Sequence, residues 1–223
     1  MSRSFVVAVY PADLLGLKPV VKAAREAEEE WLKAAREREG IPGLRGRALS
    51  EARARVRIER ARLRASGKLA GSVELVMLRA VRAELRARRL DRDWEPVPAE
   101  AASAPGRPVG VPNNQEGEDE STALTARLTV KLPDDVAEQM VRGCYWTSAP
   151  AVEALWAWAS RWGDGPVGKY KDALRAGAPP GLAALVAAGA SAAPAEALAE
   201  RDRLREQIVT TGDVLRAALR RAQ

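Results

Sequence analysis

Arg127, Thr129 and Lys131 stand at every second position of the stretch "RLTVKLP", with Leu128, Val130 and Leu132 between them. Successive side chains of a strand point to opposite faces, so an extended backbone here has one apolar face and one that carries hydrogen-bond donors and two positive charges. A second set is Arg53, Arg57, Arg60 and Arg64, spaced four, three and four along "EARARVRIERARLRA", which places them on one stripe of a helix. The chemistry of both sets is charge and hydrogen bonding, not proton transfer. The chain has no histidine and one cysteine, Cys144. That removes the usual general base, the Ser-His-Asp and Cys-His arrangements and every histidine-containing zinc site. Neither a Gly-x-x-x-x-Gly-Lys-[Ser/Thr] loop nor a Gly-x-Gly-x-x-Gly fingerprint occurs. No enzyme, metal or cofactor is expected, and Cys144 reads as a small buried thiol.

The elements that position the first set follow from the next residues. Pro133 cannot continue a ladder, but with Asp134 and Asp135 it suits the first turn of a helix, the carboxylates facing the positive end of the dipole. Val136, Met140, Val141 and Cys144 recur at helical spacing. Thr147 or Ser148 then caps a second helix, which begins at Ala149-Pro150 and buries Val152, Leu155, Trp156 and Ala159. Trp146, Trp156, Trp158 and Trp162 read as core and apolar surface rather than as stacking platforms. Trp158 and Trp162, four apart, would form a second stripe that receives the carboxy-terminal helices or a partner.

The remaining chain divides by charge. Over 223 residues the net charge is +6 and the pI about 9.8. Residues 1–90 hold 21 Lys/Arg against 11 Asp/Glu, residues 91–126 hold 2 against 8, and the rest 13 against 11. The first block opens with a possible strand, "FVVAVY", ended by Pro11. Helices are expected from about Pro19 to Glu39, over 50–66 with Ser50 as N-cap, and over 72–90. Residues 91–125, acidic and rich in proline, read as a flexible linker that cannot bury enough apolar surface to order itself. "GDGPVGKY" reads as a loop, and the region 166–223 as an alanine-rich helical extension with one terminal helix from Ala195 to Ala222. The sequence thus predicts a mainly α protein: a basic helical unit at 1–90, the linker at 91–125, a strand-helix-helix module at 126–165 and the extension at 166–223. The amino-terminal stretch is too short and too charged for a secretory signal, and no run of 18 apolar residues occurs, so a cytoplasmic protein without membrane association is expected.

Over about residues 126–162 the order strand, helix, helix resembles the ribbon-helix-helix DNA-binding proteins of the Arc and MetJ type. The resemblance implies a homodimer whose two strands form an antiparallel ribbon in the major groove. The small size of a lone module points to dimerisation as well. The family's base-contacting positions fall on Arg127, Thr129 and Lys131, and its phosphate clamp at the start of the second helix falls on Thr147 and Ser148. Those residue types fit the roles, because arginine and lysine donate to guanine N7 and O6, threonine meets either a hydrogen-bonding group or a thymine methyl, and helix-start amides favour phosphate. This chain departs from the family in lacking a glycine between the helices and in its many tryptophans.

The arginine stripe Arg53, Arg57, Arg60 and Arg64 could lie along a phosphate backbone and add salt-dependent affinity. It could equally be a solvated face or one that binds acidic protein. The reading that unites these features is a dimeric, sequence-specific, nucleoid-associated protein that binds double-stranded DNA, either a transcriptional repressor or a plasmid partition or relaxosome accessory factor. The alternative is a scaffold protein or antitoxin that binds a protein partner through its amino- or carboxy-terminal helices.

Overall fold

The alternating stretch is a strand, β2 (Ala126–Pro133), and its partner comes from the same chain. In a computed structural model, which describes residues 2–102, 124–162, 165–188 and 193–223, β1 (Ser2–Val9) pairs with it antiparallel. Ser2 lies opposite Pro133, Val6 opposite Thr129 and Val9 opposite Ala126. Helix dominates the rest, so the chain is mainly α with a two-stranded ribbon. The resemblance implied a ribbon made of this strand from two copies of the chain; here β2 pairs with β1 of the same chain.

Two compact units arise. The first takes the described residues of Met1–Glu95, Asn113–Gly143 and Thr210–Gln223, the second those of Pro96–Pro112 and Cys144–Val209. The partition expected from charge, with 1–90 apart from a module at 126–165, is therefore corrected. Strand pairing recruits β2 to the amino-terminal residues. The linker expected at 91–125 lies largely outside the described residues, and the short helix α4 (Ala99–Ala102) falls in its described part.

In the first unit, Pro11 ends β1 and opens α1 (Pro11–Arg38), where its missing N–H costs nothing at the first helical position. The helix runs through Pro19, so it begins a full two turns earlier than expected. A 3-10 turn (Ile41–Gly43) leads to α2 (Gly46–Ala65), which includes Ser50 in its interior rather than at its cap. α3 (Val73–Ala87) is capped by Ser72, whose hydroxyl accepts from the Leu75 amide. The inner face of the ribbon presents Val7, Val9, Leu128, Val130 and Leu132, all buried. They belong to a core that also takes Val76, Met77, Val81 and Leu85 of α3 and Val136 and Met140 further on. α9 (Thr211–Arg221) closes that core with Val214, Leu215, Ala218 and Leu219. Burying each valine, leucine or methionine of this core contributes about 1.5–3 kcal/mol, which fixes the ribbon's register, since a one-residue slip would turn the inward residues of the slipped strand to solvent.

The helix α5 (Asp134–Trp162) passes unbroken through Thr147, Ser148 and Pro150, where two helices were expected. Ser148 is buried and its hydroxyl both donates to the Val209 carbonyl at 3.1 Å and accepts from the Val209 amide at 2.9 Å. It has no part left to play as a cap. Next to it Ala151 and Leu155 pack on Ile208, with Val152 and Leu204 alongside. This packing outweighs the one backbone hydrogen bond that Pro150 removes. α6 (Gly165–Arg175) stands where a loop was expected, followed by α7 (Pro180–Ala188) and α8 (Ala195–Glu206). The expected terminal helix is two, because Thr210 and Asp213 form a reciprocal capping box that starts α9 afresh.

Trp158 and Trp162 do receive a carboxy-terminal helix. The Trp158 indole donates to the Ala197 carbonyl of α8 at 2.7 Å, and Trp162 lines a cleft of about 470 Å³ with Ala197 and Leu204. Trp156, expected in the core, is 61% exposed. Cys144 is buried, as read from its setting.

Candidate nucleic-acid interface

The outer face of the ribbon is defined by the pleat. With the apolar residues of both strands turned inward, the opposite face must carry Arg127, Thr129 and Lys131 from β2 and Ser4, Val6 and Ala8 from β1. All six are exposed. Opposite one another stand Ser4 and Lys131, Val6 and Thr129, and Ala8 and Arg127. The side chains of Arg127, Thr129 and Lys131 have no hydrogen-bond or ion-pair partner among the described residues. With Ser2, exposed at the end of β1 opposite Pro133, the face holds two cations, three hydroxyls and one exposed valine, with no carboxylate. Of the acidic residues that follow β2, Glu138 and Asp134 lie 3.1 Å and 3.9 Å from Arg3.

The residues of β1 were not foreseen in this role. The signal that would find them is a recurrence, since "FVVAVYPAD" and "LTVKLPDD" share a valine-containing strand, a proline and an acidic first helical turn. Two strands with the same exit into a helix suit antiparallel pairing.

The arginine stripe of α2 divides. Arg53 and Arg57 are exposed and have no partner among the described residues. Arg60 and Arg64 turn instead to Glu28 of α1, each with a guanidinium nitrogen 2.6 Å from the same carboxylate oxygen. The other oxygen accepts from the Gly71 amide at 2.9 Å. Burial alone would push the Glu28 carboxyl up, but the hydrogen bonds from Arg64, Arg60 and Gly71 outweigh it and hold the group below the ordinary carboxylate range. Arg60 and Arg64 are thus corrected from phosphate contacts to structural partners, because the only buried carboxylate of α1 needs their charge.

The expected phosphate clamp is not assembled. Ser148 is taken up by Val209, and Thr147, though exposed, lies in mid-helix with no free amides beside it. Among the described residues no group of three or more His, Cys, Asp or Glu side chains is placed to hold a metal ion, and no helix is long and apolar enough to cross a membrane.

No protein-family model, no curated protein and no solved structure matched the chain.

Proposed function

We propose that this protein binds double-stranded DNA and reads its sequence by laying the outer face of the β1–β2 ribbon in the major groove. The observation that carries the reading is that face itself: Arg127, Thr129 and Lys131 exposed, without a partner among the described residues and at alternate positions of a two-stranded ribbon that carries no carboxylate on that face. A ribbon of this kind fits a major groove about 12 Å wide, and its arginine and lysine supply donors for guanine N7 and O6. Arg53 and Arg57 add generic attraction for phosphate, and a binding rather than a catalytic role follows from the residue types. Occupancy of a defined duplex site is what a repressor or a plasmid partition or relaxosome accessory factor requires, and we place the protein in that group, at the nucleoid.

The test is selection of binding sites from a pool of random duplex DNA at near-physiological salt, with the wild type and with a Thr129→Ala, Lys131→Ala variant. An enriched motif that the double variant loses while keeping its helical content supports the reading. Equal enrichment by both proteins removes the ribbon from it.

A second reading attaches to α7, whose Leu182, Leu185 and Val186 are exposed at 52%, 71% and 46%. Apolar exposure on one short helix favours a protein partner for that part of the chain. Under the scaffold or antitoxin alternative, this contact would survive the ribbon substitutions.

A further inference from the structure

We infer that a single chain reads a site without two-fold symmetry, and that Ser4 and Val6 of β1 determine specificity together with β2. The inference rests on the DNA reading above. An antiparallel ribbon has a local two-fold axis normal to its face, here passing between Val6 and Thr129, which are opposite one another. In a ribbon made from two copies of one strand, that axis relates identical residues, and the site read is an inverted repeat.

Here the axis relates unlike residues. It exchanges Val6 with Thr129, places Ser4 where Arg127 stands and places Ala8 where Lys131 stands. Both cations of the face lie on β2, and β1 offers the hydroxyls of Ser2 and Ser4 and two small apolar groups. The two halves of the face therefore seek different base edges. Arg127 and Lys131 match guanine N7 and O6, whereas Val6 and Ala8 have no polar atom to offer and match a thymine methyl. Val6 is 67% exposed at the centre of the ribbon, where a β-branched residue that served only packing would face inward. The site expected is asymmetric, with guanine on the side of β2 and thymine on the side of β1.

The test uses the full chain. Wild type, Val6→Ala and Ser4→Ala proteins are each put through selection from random duplex DNA, and the mass of the wild-type complex on its selected duplex is measured by sedimentation. Both substitutions lie on the exposed face, and circular dichroism checks that the fold is kept. The expected result is one chain per duplex, a motif without an inverted repeat, and a loss of roughly five- to tenfold in preference for thymine at one position with Val6→Ala. An inverted repeat bound by two chains overturns the inference and leaves the ribbon as a DNA reader. Unchanged motifs with both variants overturn the role of β1. No enriched motif for the wild type overturns the inference together with the reading on which it rests.

Discussion

The Glu28 carboxylate accepts a 2.9 Å hydrogen bond from the Gly71 amide, tying the middle of α1 to the turn that enters α3. The approach is close enough that a Cβ at position 71 would land on that carboxylate. Gly71→Ala is expected to displace Glu28 from its arginines and to lower stability by about 1–3 kcal/mol. Urea denaturation followed by circular dichroism measures this as a lower midpoint with an unchanged slope.

Glu28→Gln keeps the shape of the side chain and removes its charge. Arg60 and Arg64 have side chains about a third exposed, at 35% and 38%, so water compensates them in part. The expected loss is about 1–3 kcal/mol, below that of a fully buried pair. A midpoint equal to the wild type's would show that the pair adds nothing net.

Among the described residues, three carboxylates have pKa values shifted down by the fold. Glu84 is buried, which would raise its pKa, but the hydrogen bonds from Arg88 and Arg221 lower it overall. Asp213 is likewise raised by burial and lowered more by the Thr210 hydroxyl and amide and by Arg216. With Glu28, all three lie below the ordinary carboxylate range in the folded chain. The unfolded chain then binds more protons in acid, so stability rises with pH. The contribution is complete above the unfolded carboxylate value of about 4 and is lost as pH falls through the lower folded values. Urea midpoints taken from pH 7 downwards should hold level and then fall below about pH 5, with a shallower fall in Glu28→Gln.

The division of the arginine stripe lets the proposed binding be tested apart from stability. Arg53→Ala with Arg57→Ala should reduce the slope of log affinity against log salt by about 1–2 and leave the urea midpoint in place. Arg60→Ala with Arg64→Ala should do the reverse, since those two hold Glu28. Fluorescence anisotropy on a duplex across a salt series gives the slope. Equal slopes for the wild type and the first pair would take α2 away from the phosphate backbone.

Ser148→Ala removes both the donor and the acceptor that meet Val209. A loss of about 1–3 kcal/mol is expected, with faster hydrogen exchange at the Val209 amide. Thr147→Ala, at an exposed position one residue away, should change neither.

Local chemistry made much of this legible. The alternation in "RLTVKLP" gave the strand, its faces and the exposure of Arg127, Thr129 and Lys131, because a period of two leaves no other way to bury Leu128, Val130 and Leu132. Cys144 as a buried thiol follows from an equally local rule, whereas the cap read at Ser50 lies inside α2 and Ser72 caps α3. What could not be read depends on distant partners. Whether Ser148 caps a helix or bonds to Val209 turns on a residue 61 positions away, and whether Arg64 meets phosphate or Glu28 turns on one 36 away. The partner of β2 is the largest case, since its signal, the recurrence with "FVVAVYPAD", lies at the far end of the sequence from it. The Thr210–Asp213 capping box divides the terminal helix expected from Ala195 to Ala222, although Thr and Asp three residues apart are a local signal in the sequence.

The pairing of Val9 with Ala126 also sets an order of events during synthesis. β1 is made first, and more than a hundred residues must follow before β2 exists to meet it. Contacts so far apart in sequence are slow to form, because a long loop must close before any strand hydrogen bond rewards it. At a translation rate of about 5–20 residues per second, the nascent chain spends several seconds with Phe5, Val7 and Val9 unpaired. That interval is a window for a chaperone, or for wrong pairing with a neighbouring nascent chain, and it closes only when Leu132 arrives.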